Sequence, residues 1–389
     1  MNVSDYVLNF LVSKKIKDVF LITGGAISFM VDAFSRNKKI KYTCVAHEQA
    51  AAMMADAYSR LGPNLSCTMV TSGPGATNLI TGIACSWFDS IPTIHITGQV
   101  NSYEKQGSQP GTKHTRQVGF QETDIVSITK PITKFAYQLK NPKEIKYILE
   151  KACYIAQSGR PGPVVIDIPM DFQKATISPS KLPSFKIPKK SNKSNTINSK
   201  IKKIIPLIKK ALRPVILVGG GTKIAKCEKK LDQLLKKLKV PIVTTWSGVD
   251  LVGYNDNNYI GNVGVYGSRS ANFTVQNSDL LICLGSRLDT RITGGVPSTF
   301  ARKSKVVVVD IDKNELSKKR GLKIFLKINE NLSVFLENLN KNIKVHHNPH
   351  QDKWLKKCLE WKIKYPIIKK EYYQQKKFVN PYVFFGELS

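Results

Sequence analysis

The chain has 389 residues, enough for two or three domains at about 100–200 residues each, and its 60 Lys and Arg against 28 Asp and Glu give a net charge of +32. Hydrophobic residues make up 42% of it, yet no apolar run approaches the ~18 residues of a membrane span, and the start Met1-Asn2-Val3-Ser4-Asp5 lacks the charged-then-apolar pattern of a signal peptide. A helical membrane protein is excluded on these grounds and a soluble cytoplasmic protein is expected. The charge excess falls mostly on lysine-rich, helix-like stretches after residue 180 with no recognition motif beside it, so it reads as solvated helix faces and not as a nucleic-acid surface.

The first 180 residues alternate short apolar runs with helical stretches. Residues 19–23, 40–44, 66–71, 92–97 and 163–168 read as buried strands, each bounded by Gly, Pro or Ser. Between them, 4–14, 47–61, 77–88 and 142–157 read as helices. This alternation predicts an α/β domain with a parallel sheet covered on both faces. Residues 175–199 are rich in Ser, Pro, Lys and Asn and read as a linker. A second alternating block follows, with strands expected at 215–218, 240–244, 280–284 and 306–311 and helices at 200–211 and 225–238. Asn380-Pro381 reads as a fresh helix start, and the chain then stops at Ser389 without a stop signal, as a truncation would. The seven cysteines form no C-x-x-C pair, so neither zinc nor a disulfide framework is signalled; Cys44, Cys67 and Cys283 sit in apolar runs as small hydrophobes.

Three features converge on the carboxyl ends of the first strands. Glu48 opens an Ala-rich helix, where the helix dipole favours a carboxylate; taken alone it is an ordinary first-turn Glu. The string Thr71-Ser72-Gly73-Pro74-Gly75-Ala76-Thr77-Asn78 joins a strand to a helix, and Thr23-Gly24-Gly25-Ala26 follows the first strand. Ligands of open α/β sheets bind beyond this edge. In the second block, Gly219-Gly220-Gly221 follows a strand but continues to Ile224 and not to a third fingerprint glycine. Gly285, Arg287, Asp289 and Asp310 stand at further strand ends, where Asp suits ribose hydroxyls and Arg suits phosphate, with surface ion pairing as the alternative.

The ordered set His47-Glu48-Gln49, Thr71 to Asn78, Asp89-Ser90-Ile91-Pro92, Ile96-Thr97-Gly98-Gln99-Val100, Gly119-Phe120-Gln121-Glu122-Thr123-Asp124, Gly159-Arg160-Pro161-Gly162-Pro163-Val164, Val218 to Gly221, Ala271 to Leu281 and Gly285-Ser286-Arg287 closely resembles the large subunit of acetolactate synthase. The resemblance implies two doubly wound parallel-sheet domains: a pyrimidine-binding domain at 1–174, then, after the linker 175–199, a Rossmann-like central domain at 200–345. Residues 346–389 would be a linker and the start of a third, diphosphate-binding domain missing from the chain. It implies a carboligase that decarboxylates a 2-keto acid such as pyruvate and adds the resulting carbanion to a second carbonyl, with thiamine diphosphate as electron sink. Glu48 would hydrogen-bond the cofactor's pyrimidine nitrogen; Thr23, Gly24, Gly25, Thr71, Pro74, Gly75 and Asn78 would line that site; Phe120 and Gln121 would face the substrate. Arg160, Gly219, Gly220, Gly221, Gly285, Arg287, Asp289 and Asp310 match places that hold flavin adenine dinucleotide. Magnesium would enter through a Gly-Asp-Gly…Asn loop that these residues do not contain, so the 389 residues alone are expected to be inactive. A homodimer or higher oligomer and a regulatory small subunit are implied partners. Departures lie at Thr23 (usually Pro), Met170 (usually Lys), Val265-Tyr266 (usually Met-His) and a long 101–119 connection. They leave open a related thiamine-diphosphate decarboxylase, acetyltransferase or lyase, and a non-catalytic nucleotide- or flavin-binding protein.

Overall fold

The computed structural model describes residues 1–62, 65–188, 194–345 and 348–388, with the backbone alone at 194–196. The chain divides into two compact units, Met1–Lys190 and Ser191–Ser389, each built on a six-stranded parallel sheet.

In the first unit the strands are β1 (Asp18–Leu21), β2 (Lys41–Cys44), β3 (Ser66–Val70), β4 (Thr93–Gln99), β5 (Phe135–Gln138) and β6 (Val164–Pro169). Their order is β2-β1-β3-β4-β6-β5. The chain steps from β1 outward to β2, then returns to place β3 on the other side of β1. Connections on the two sides of that point leave in opposite directions, which opens a crevice at the carboxyl ends of β1 and β3.

One sheet face carries helices Val3–Ser13 and Ile145–Gln157. They bury Val7, Leu8 and Leu11, and Ile148, Leu149, Ala152 and Ala156, against Val19, Met69, Ile94 and Ile166. The other face carries helix Glu48–Leu61, whose inner side is alanine: Ala51, Ala52 and Ala55 are fully buried. The small side chains permit close approach. A Cβ on Gly82, in helix Ile80–Asp89, would stand 2.3 Å from Ala52 Cβ. This contact sets the first turn of the Glu48 helix beside the turn that precedes helix Ile80–Asp89.

The second unit holds β7 (Pro214–Val218), β8 (Ile242–Thr244), β9 (Tyr259–Asn262), β10 (Leu280–Leu284), β11 (Lys305–Asp310) and β12 (Leu326–Asn329). The order β12-β11-β10-β7-β8-β9 again reverses direction once, between β7 and β10. The expected fold class, two parallel-sheet α/β domains, is therefore what forms.

Three expectations are corrected. Residues 40–44 were expected to be buried, but β2 is an edge strand exposed along its length, and Cys44 is exposed with it. The segment 175–199 is mostly not a linker: Ile177 and Leu182 are buried in the first core, and helix Ser194–Lys210 buries Ile197, Ile201, Ile204 and Ile208 in the second, while 189–193 lie outside the described residues. The stretch after 345 belongs in part to the second unit. Helix Pro349–Lys364 inserts Trp354 and Cys358 into its core, and the indole of Trp354 donates to the Pro214 carbonyl at 3.2 Å. The helix start at Asn380 forms as expected: Pro381–Leu388 is helical, and the Asn380 side chain accepts from Tyr382 N–H at 2.9 Å. No helix among the described residues is long and apolar enough to cross a membrane.

Candidate active site

Glu48 is the first residue of its helix. His47 precedes it in extended conformation, and its ring Nδ1 accepts from Gln49 N–H at 3.1 Å, occupying one of the helix's free donors. Glu48 is half-buried. Its Oε2 accepts from Asn78 Nδ2 at 2.9 Å. Its Oε1 lies over Gly75, where an added Cβ would be 3.4 Å from it. One carboxylate oxygen is thus fixed, and the other faces the crevice with no hydrogen-bond partner among the described residues.

The loops after β1 and β3 interlock through Thr71. Its Oγ1 accepts from Ala26 N–H at 3.2 Å. Its side chain fills the space that a Cβ on Gly24 or Gly75 would need, at 2.5 Å and 2.7 Å. Any larger residue at 24 or 75 would drive the two loops apart. Gly25 faces open space, and Thr23 is exposed. Gly73 has φ +61°, in the left-handed region that favours glycine, and its bare Cα seats Gln121: a Cβ there would lie 2.7 Å from Gln121 Cβ. Pro74 starts helix Pro74–Asn78, so its missing N–H leaves no bond unmade. Thr23, Gly24, Gly25, Glu48, Thr71, Pro74, Gly75, Asn78 and Gln121 therefore gather at one sheet edge. Phe120 projects from the same segment with 84% of its surface exposed.

Arg160 is placed elsewhere. It precedes β6, at the amino ends of the strands, and its Nε donates to Ser90 Oγ at 2.8 Å. That is the edge of the sheet opposite Glu48, because every strand is parallel.

In the second unit Gly219, Gly220 and Gly221 follow β7, Gly285, Arg287 and Asp289 follow β10, and Asp310 ends β11, around the strand reversal. The glycines allow backbone to meet backbone: Gly221 N–H donates to the Gly285 carbonyl at 3.0 Å, and a Cβ on Gly219 would sit 2.4 Å from that oxygen. Arg287 Nε pairs with Asp289 Oδ2 at 3.0 Å, and Asp310 Oδ1 accepts from Asp312 N–H at 2.9 Å. Beside them Trp246 and Tyr266, both exposed, lie with ring centroids 5.6 Å apart and planes inclined at 36°, with the Arg291 guanidinium 5.2 Å from the Tyr266 ring.

One buried group had no role in the sequence reading. Asp167, in β6, is fully buried, and accepts from Thr97 Oγ1 at 2.6 Å, Gln138 Nε2 at 2.6 Å and Gln99 Nε2 at 3.1 Å. Burial pushes its carboxyl up to about 6, against the three hydrogen bonds and the Lys105 charge, which favour ionisation. The signal was present: a lone acid within the apolar run Val164-Val165-Ile166-Asp167-Ile168. His95, in β4, is buried between Thr68 and Thr93, each 2.8 Å from a ring nitrogen, and burial lowers it to about 3.

Two parallel sheets, each with glycine turns at its strand reversal and one with a presented glutamate, are the architecture of cofactor-binding α/β enzymes. Residues 1–128 match the family described as thiamine pyrophosphate enzyme, N-terminal TPP binding domain, and residues 201–339 match the thiamine pyrophosphate enzyme central domain. The chain belongs to the thiamine pyrophosphate enzymes. It is 36% identical over 374 residues to the acetolactate synthase large subunit of Cyanidium caldarium, an alignment covering 92% of this chain and 61% of that protein. Against the Haemophilus influenzae acetolactate synthase large subunit it is 34% identical over 365 residues, 93% of this chain and 62% of that one. Against the probable acetolactate synthase large subunit of Methanococcus aeolicus it is 37% identical over 324 residues, 82% and 52% respectively. The chain spans about 60% of the length of the first of these relatives.

Proposed function

We propose that the chain supplies the pyrimidine half-site of an acetolactate synthase-like carboligase, one that decarboxylates pyruvate and joins the remaining carbon unit to a second 2-keto acid. The observation that carries this reading is Glu48, held by Asn78 through one oxygen and open to the crevice through the other. Thiamine diphosphate, when bound, supplies an acidic thiazolium carbon and an electron sink for decarboxylation. Glu48 Oε1 would hold a proton at the pyrimidine ring nitrogen. Thr71, with Gly24 and Gly75 against it, would keep the crevice wide enough for a flat ring, and Phe120 and Gln121 would bound the space that the keto acid enters.

Among the described residues no group of three or more His, Cys, Asp or Glu is placed to hold a metal ion, and the roles given to Glu48, Thr71, Phe120 and Gln121 require none. Gly219 to Gly221, Gly285, Arg287, Asp289 and Asp310, at the strand ends around the reversal between β7 and β10, would hold flavin adenine dinucleotide, with Trp246 and Tyr266 beside its flat ring. The resemblance also supports assembly as at least a homodimer with a regulatory small subunit. Product analysis tests the reaction. The holoenzyme containing this chain, given thiamine diphosphate, magnesium and pyruvate, yields acetolactate; free acetaldehyde alone would move the reading to a decarboxylase.

A further inference from the structure

Beyond β4, residues 100–124 leave the sheet and return with Phe120 and Gln121 at the crevice. Both ends of this segment are tied to the same buried carboxylate. Gln99 donates to Asp167 at 3.1 Å and, through the same Nε2, to the Thr123 carbonyl at 2.8 Å, while its Oε1 accepts from Val100 N–H at 3.0 Å. Gln138 donates to Asp167 at 2.6 Å, and its Oε1 accepts from Lys105 Nζ. The segment is also bound to itself: Glu122 accepts from Gln106 N–H at 2.7 Å and Val118 N–H at 3.0 Å. Near its start Ser102 is held as well, its N–H and Oγ donating to Asp171 at 2.9 Å and 2.6 Å. At its tip Gln121 adopts φ 60° and rests on Gly73.

We propose that Asp167 is a positioning residue for the substrate side of the crevice: as an acceptor for Gln99 and Gln138 it fixes the 100–124 segment so that Gln121 stays seated on the Gly73 turn. Only an acceptor can do this. Both glutamines present their NH2 groups to Asp167 because their carbonyl oxygens are committed to Val100 and Lys105. Both donate to the same oxygen, Oδ2, while Oδ1 takes the Thr97 hydroxyl. An amide or a proton on the Oδ1 side meets a hydroxyl that can also accept, and leaves Oδ2 for the glutamines; an aliphatic side chain at 167 offers no acceptor and leaves both NH2 groups buried without this partner. Lys105 is the charged group that acts on Asp167 from the segment; Thr97, Gln99 and Gln138 face it from β4 and β5.

This assignment rests on reading Phe120 and Gln121 as substrate-facing, so the test has one arm that does not need that reading. In the 389-residue chain, amide hydrogen exchange of residues 101–124 is compared with that of β3 and β4 for wild type, Asp167→Asn and Asp167→Leu. At pH 7 the leucine variant exchanges the segment at least tenfold faster with β3 and β4 unchanged, while the asparagine variant stays near wild type. Equal acceleration everywhere, or none in the segment, overturns the proposal. Gln138→Leu, which removes the Lys105 attachment and one donor to Asp167 but keeps Gln99 in place, loosens 104–110 and spares 119–124; loosening of both ends alike would count against separate attachment of the two ends. In the holoenzyme, Asp167→Leu raises KM for pyruvate tenfold or more and leaves proton exchange at the thiazolium C2 unchanged. A variant with normal KM would overturn the positioning role while leaving the proposed function standing. A wild-type holoenzyme that makes no acetolactate would sink the proposed function, while the exchange arm would still decide the clamp.

Discussion

Replacing Asp167 by Asn should change how the first unit's stability depends on pH, in a way that neither packing loss nor a missing hydrogen bond can imitate. In the folded chain the Asp167 carboxyl titrates near 6 instead of 3.8. Between those values the unfolded chain has released this proton and the folded chain still holds it. Stability from this group is therefore full below pH 4, falls as pH rises through 6, and is flat above. At 1.36 kcal/mol per unit the loss is about 3 kcal/mol. His95 acts in the opposite sense: with its folded value near 3 against 6.5, stability present above pH 6.5 is lost as pH falls. In the wild type the two slopes largely cancel between pH 4 and 6. Asn cannot titrate, so Asp167→Asn unmasks the histidine. Relative to wild type, the variant gains about 3 kcal/mol on going from pH 4 to pH 7, whatever fixed offset the substitution brings. The assay is hydrogen exchange of β4 and β6 amides under conditions where it reports opening free energy. The same offset at both pH values would refute the reasoning, because it would mean that Asp167 ionises equally easily folded and unfolded.

Other substitutions probe the remaining contacts. Gly75→Ala would put a methyl 2.7 Å from Thr71 Cγ2 and 3.4 Å from Glu48 Oε1; it should weaken thiamine diphosphate binding at least tenfold by calorimetry on the holoenzyme while leaving circular dichroism unchanged. Gly82→Val should destabilise the first unit by about 1–3 kcal/mol or more through overpacking against Ala52, read by urea titration. Trp354→Ala should cost the second unit about 3–5 kcal/mol, and a negligible effect would detach helix Pro349–Lys364 from that core. A purified sample should bind added flavin adenine dinucleotide with quenching of Trp246 fluorescence; binding without quenching would move the flavin away from β8.

Much of this was legible in the chain. Buried central strands announced themselves as five-residue apolar runs, and both strand reversals carried glycine strings. The strands that escaped, β5 (Phe135–Gln138), β9 (Tyr259–Asn262) and β12 (Leu326–Asn329), are all sheet edges. An edge strand is covered less and needs fewer apolar residues, so its short, mixed sequence resembles loop. The same cause made β2 look buried when it is not: Tyr42 and Cys44 are apolar enough for a core strand, but both stay exposed at the sheet edge, with only the Phe34 ring edge-on against Tyr42 at 5.0 Å among the described ring contacts. Glu48, Thr71, Gly75 and Asn78 gather at one edge because each lies in a segment that runs on from the carboxyl end of a strand of one parallel sheet. Arg160, which the resemblance matched to a flavin-binding place, precedes β6 and therefore lies on the opposite edge of the first sheet from residues that follow its strands. Asp167 was passed over because side-chain partnership across β4, β5 and β6 is a tertiary fact; only its charge within an apolar run pointed to it.

The most direct test of the central claim is proton exchange at C2 of thiamine diphosphate, followed by NMR in deuterium oxide on the holoenzyme with wild-type chain and with Glu48→Gln. If the open oxygen of Glu48 holds the pyrimidine proton, the substitution slows exchange by about 10²–10⁴ with the fold intact. Exchange at the wild-type rate in a folded, cofactor-saturated Glu48→Gln enzyme would contradict the account.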